Sequence, residues 1–177
     1  DNNTAVGRDA LTANTTGTAN VAVGREALDA NTTGSNNTAL GDSALTAATT
    51  ASGNVAVGKN CLLSCTTGAE NVAMGYQALN AVTTSSYSTA MGNESALTAN
   101  TTGTQNVALG KSAGNQITTG NYNVCIGYDT RTSAVGSSGQ IVIGTSVIGT
   151  ANNAVFIGTS AGHVRNDFLD DATWDQV

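Results

Sequence analysis

A glycine recurs down this chain at an almost fixed interval. It falls at Gly7, Gly24, Gly41, Gly58, Gly75, Gly92, Gly110, Gly127, Gly144 and Gly158, with spacings of 17, 17, 17, 17, 17, 18, 17, 17 and 14. Internal periodicity of this length is the signature of a solenoid, in which each repeat is one coil that buries itself against its neighbours. A full unit runs from Asn20 to Asn36, reading NVAVGREALDANTTGSN. Its opening asparagine recurs at Asn3, Asn20, Asn37, Asn54, Asn71, Asn106 and Asn123. Three residues of alternating size follow, and a period of two is that of a strand.

The glycine after each strand marks a sharp turn or the close approach of another backbone. The next two residues, Arg8-Asp9, Arg25-Glu26, Asp42-Ser43 and Lys59-Asn60, belong outside a turn. An apolar pair such as Ala27-Leu28 follows and reads as a second short strand or a tight apolar corner. A polar Asn-Thr-Thr-Gly loop returns the chain to the next coil. A helix is excluded, because glycine, threonine and asparagine recur throughout and the apolar spacing is not 3.6. The expected fold is all-β: a repetitive parallel β-roll or β-solenoid of about ten rungs, each about 4.8 Å above the last. Residues 1–158 form the shaft and 159–177 a C-terminal tip or capping segment.

Stacking should superpose like residues. Leu11, Leu28, Leu45, Leu62, Leu79 and Leu97 form one apolar column, and the asparagines form a ladder of side-chain amides. With Val21, Val23, Ala27 and Leu28 taken as the interior of a unit, the apolar content per rung is thin against the entropy of ordering 17 residues. The alanine column (Ala5, Ala22, Ala39, Ala56, Ala73, Ala90, Ala108) is therefore expected to face a neighbouring chain in a parallel homotrimer.

Composition narrows the function. The chain has 21 Gly, no Pro, two Phe, one Trp and a net charge of −6, with its six basic residues scattered. Nucleic-acid binding needs clustered Lys and Arg, so it is disfavoured. No apolar run reaches the roughly 20 residues of a membrane span, so membrane insertion is not expected. No signal peptide is visible, and the pattern already runs at Asp1, so a segment of a longer protein is expected. Cys61, Cys65 and Cys125 occupy places that hold Ala or Asn in sister repeats and read as small packed thiols. A Cys61–Cys65 bridge is not indicated. With His163 the one histidine, no metal or other cofactor is expected, and no nucleophile constellation or phosphate loop supports catalysis.

Asn54-Val-Ala-Val-Gly58, Asn71-Val-Ala-Met-Gly75 and Asn123-Val-Cys-Ile-Gly127 resemble the head repeats of YadA-type trimeric autotransporter adhesins, which form trimeric parallel β-rolls. Their usual period is close to the 14 residues between Gly144 and Gly158. The longer unit with its Asn-Thr-Thr-Gly loop is similar to repeats in tail fibres of bacterial viruses. Residues 161–177 resemble the stretch before an endosialidase-type intramolecular chaperone, which would cleave itself off near Val177. This resemblance implies a virion tail fibre, extracellular and homotrimeric, that attaches to a glycan or protein of the host cell surface. The head of a bacterial adhesin at the cell surface is the related alternative, and an ice-binding solenoid is one from another class.

Several residues invite a sharper reading. The Thr-Thr pairs, such as Thr32-Thr33 and Thr66-Thr67, form an array that suits ice. Neighbouring residues of an extended chain point to opposite sides, so the pairs read as turn chemistry. Asp167, Asp170, Asp171 and Asp175 read as a solvated acidic tip, because the calcium-roll motif is absent. Phe168 and Trp174 are candidate tip contacts that cap the shaft, touch a receptor, or both. Tyr76, Tyr87, Tyr122 and Tyr128 are either exposed sugar contacts or loop packing.

Overall fold

In the computed structural model, residues 2–93 and 96–166 and the backbone of 167 and 175–176 are described. Ten strands run parallel in chain order: β1 (Thr4–Val6), β2 (Val21–Val23), β3 (Thr38–Leu40), β4 (Val55–Val57), β5 (Val72–Met74), β6 (Thr89–Met91), β7 (Val107–Leu109), β8 (Val124–Ile126), β9 (Ile141–Thr145) and β10 (Ala154–Thr159). Each pairs with the next in the register set by the repeat, so Ala22 sits beside Ala39 and Ala39 beside Ala56. The 18-residue step is absorbed without a slip, with Ala90 beside Ala108. The short last coil keeps Gly144 beside Gly158. The parallel order then ends: β11 (Gly162–Asp167) and β12 (Asp175–Gln176) add antiparallel. The chain is thus a β-solenoid, and no helix occurs among the described residues.

Only three residues of most coils are strand, yet the backbone stacks around the whole circuit. In the second coil Leu28 N–H donates forward to Ala44 C=O at 3.1 Å and Thr32 N–H to Thr49 C=O at 2.9 Å. Glu26 N–H donates back to Arg8 C=O and Asn36 N–H to Thr18 C=O. The Ala-Leu pair is therefore the tight corner of the two readings. Its leucine lies in the left-handed region, at φ 52° for Leu28 and 54° for Leu45. That conformation costs an L-residue about 1–2 kcal/mol. Complete burial of each leucine offsets it.

The strand faces are the reverse of the expectation. Ala22, Ala39, Ala56, Ala73, Ala90 and Ala108 are fully buried inside their own roll, while Val21 points outward and Val23 is half-buried. The alanine column therefore cannot face a neighbouring chain. The interior is too narrow for anything else: the leucine at the corner fills it, and a methyl is what remains opposite. Where the leucine is lost the balance shifts. Gly114 takes its place at φ 63°, and a Cβ there would lie 3.1 Å from Leu97 Cδ2 and 3.3 Å from Ile117 Cδ1. Beyond that point the alanine column enlarges, in register, to Cys125, Val142 and Phe156. Phe156 is fully buried, with His163 edge-on at 5.9 Å and the Arg165 guanidinium 5.9 Å from its ring centre. This aromatic closes the described end of the core.

Candidate interaction surface

The repeat glycines and asparagines are internal fittings. Gly58 sits at φ 132°, and a Cβ there would meet Gly75 O at 2.6 Å, so the glycine column lets successive turns approach. Asn20, Asn37, Asn54, Asn71, Asn106 and Asn123 are fully buried, and Asn3 in the first coil is half-buried. Each passes bonds along the axis: Asn54 N–H donates to Asn37 Oδ1 at 3.0 Å, and Asn54 Nδ2 donates to Gly68 C=O at 2.9 Å. Ser88 and Gln140 keep the ladder where asparagine is missing, since Asn106 N–H donates to Ser88 Oγ and Gln140 N–H to Asn123 Oδ1.

A second ladder of opposite polarity runs along the polar loop. There a backbone N–H donates to the side chain one turn ahead: Thr18 to Ser35, Ser35 to Ser52, Ala69 to Ser86, Thr104 to Asn121 and Asn121 to Ser138. The first threonine of every pair is also engaged. Thr15, Thr32, Thr49, Thr66, Thr83, Thr101 and Thr118 each donate their hydroxyl to a carbonyl of the next coil. The second threonine column (Thr16, Thr33, Thr50, Thr67, Thr84, Thr102, Thr119) is exposed throughout.

The outer face of the sheet is apolar. Val6, Val21, Leu40, Met74, Met91, Val107, Leu109 and Ile157 are exposed there, with Leu40 46% and Leu109 48% exposed, and Val55, Val57, Val124, Ile126, Ile141 and Ile143 on the same face are half-buried. All four tyrosines border it: Tyr87 and Tyr122 one residue before the asparagine position, Tyr76 and Tyr128 just after the repeat glycine. All four are exposed, which removes loop packing as their role. Charges beside the glycine column link the turns, with Asp42 2.8 Å from Arg25 and 3.3 Å from Lys59, and Arg8 3.4 Å from Glu26.

A surface pocket of about 370 Å³ near the C-terminal end is lined by Ser146, Ile148, Thr150, Thr159, Ser160 and His163, and none of these lining residues is a carboxylate. No cluster of three or more metal-ligating side chains occurs among the described residues. Cys61, Cys65 and Cys125 are buried and unbridged. Burial pushes their thiols up, to about 12, 11 and 12. The side chains of Asp167, Phe168, Asp170, Asp171, Trp174 and Asp175, on which the tip readings rest, lie outside the described residues.

No protein-family model, curated protein or solved structure matches the chain. The assignment of function therefore starts from the geometry of the faces.

Proposed function

We propose that this chain is the shaft, and towards its C-terminus the tip, of a homotrimeric virus tail fibre that attaches a particle to a bacterial surface. One observation carries the assembly half of this reading: the apolar face on the outside of the sheet spans the parallel strands and is exposed or half-buried in a single chain. Apolar surface of that extent marks an interaction site. A parallel copy presents the same face at the same rung spacing, so three copies around an axis bury all three faces at once. The trimer thus forms through the valine, leucine and methionine positions, not through the alanines. Tyrosines at the face's edges suit the rim of such an interface, where one end of the ring is buried and the other is wet.

The attachment half rests on the repeat's similarity to tail-fibre repeats and on a surface that offers shape in place of chemistry. Native mass spectrometry and electron microscopy of the purified chain test the reading. A three-fold rod that adsorbs to bacterial cells through one end supports it. A monomeric mass at micromolar concentration sinks the trimer, and a trimer that adsorbs to no bacterial cell in a broad panel sinks the attachment role.

A further inference from the structure

We infer that the second-threonine column, from Thr16 to Thr119, forms with the residue two places on an ice-adsorbing face of the roll. The inference does not rest on the fibre reading. Turn chemistry accounts for the first threonine of each pair, whose hydroxyl donates to the next coil in all seven pairs. It does not account for the second, whose hydroxyl is exposed and makes no hydrogen bond among the described residues, yet which is threonine in all seven.

The pair is also the wrong unit to consider. The residue after it, such as Gly34, Ala51 or Ser85, is small and buried, and the next one is exposed at Thr18 and half-buried in the other six repeats. The pattern is therefore Thr-x-Ser or Thr-x-Thr in five of the seven repeats, as in Thr33-Gly34-Ser35 and Thr102-Gly103-Thr104, with Ala69 and Asn121 taking the last place in the other two. Along the axis each of the two columns repeats at about 4.8 Å. A spacing of this order is close to one between water oxygens in ice.

The backbone bonds of each turn, and the side-chain ladder at five of the junctions, hold the array in place. A fixed lattice of methyl and hydroxyl groups pins water in register, at little further entropy cost to the protein. The strip from first threonine to serine carries no charged and no aromatic residue in any of these seven repeats. Ions would break the water lattice, and a sugar chain would want an aromatic platform, which lies instead on the sheet face.

Thermal hysteresis and ice-crystal shaping of the purified full chain provide the test. The wild type is expected to arrest growth and facet the crystals. The double variant T67K/T84K, on two exposed adjacent rungs, is expected to lose both effects while its circular dichroism and melting temperature stay unchanged. Gln77→Lys, on another face, should keep them. Absence of hysteresis in the wild type, or its survival in folded T67K/T84K, overturns the inference. So does a change of oligomeric mass in T67K/T84K with no ice activity in the wild type, which would make this face a contact between copies.

Discussion

Asn54 and Asn71 are joined twice across one turn: Asn54 Oδ1 accepts the Asn71 backbone N–H at 2.9 Å and the Asn71 side-chain amide at 3.1 Å. Replacing Asn54 with Ala strands the Asn71 backbone N–H, leaves the Asn71 amide with only Ser85 C=O to donate to, and leaves the Gly68 carbonyl with only the Cys65 thiol, all in a fully buried site. An orphaned group of this kind costs about 1–3 kcal/mol. A loss of that order and a clear drop in melting temperature are expected. Asn54→Ser should fall between, because serine accepts the next N–H in the native ladder at Ser88.

A complementary substitution should stabilise. Asn31 Nδ2 donates to Asn14 Oδ1 at 2.9 Å, but Asn31 Oδ1 is buried without a partner, because the next residue of that column is Ala48. Ala48→Asn supplies the missing donor. Denaturant unfolding should show a gain of about 1 kcal/mol.

The two kinds of leucine should separate stability from assembly. Leu62→Ala empties a fully buried site and should cost about 2–5 kcal/mol. Leu40→Asp lies on the outer sheet face and should leave the fold intact while lowering the assembled mass from trimer to monomer on a sizing column with light scattering.

Gly58→Ala must place a methyl against Gly75 O at a backbone angle that alanine avoids. Strain of this kind costs about 1–3 kcal/mol before the clash is counted. Loss of hydrogen-exchange protection centred on β4 and β5 would report it.

The thiols give a pH dependence with a definite sign. Folding raises all three pKa values above the ordinary 9.0, to about 12, 11 and 12. The folded state therefore holds protons that the unfolded state releases. Their contribution is complete below pH 9 and is lost progressively as pH rises from 9 through 11–12. Below pH 9 the native protein should resist thiol-modifying reagents, and all three cysteines should react on unfolding.

Period, strand and glycine were legible because each is a local statement: Val21 to Gly24 alternates, then needs a residue without a side chain. Which face turns inward was not. Alternation defines two faces but not their direction, and the direction is set by the width of the roll. That width depends on Leu28 and its sister leucines in a left-handed conformation, which nothing in an aliphatic residue announces. The Thr-x-Ser face was hidden for a related reason. Gly34 reads as a turn glycine, and only stacking reveals it as a buried spacer between Thr33 and Ser35.

The backbone ladders all run along the axis, so a pull on the ends loads every turn-to-turn junction in series. Such a rod has the tensile strength of its weakest junction, however many turns it contains. Strength then calls for uniformity, and the junction where Ser88 replaces asparagine, with a 3.3 Å bond to Asn106, is a natural place for the rod to part under load.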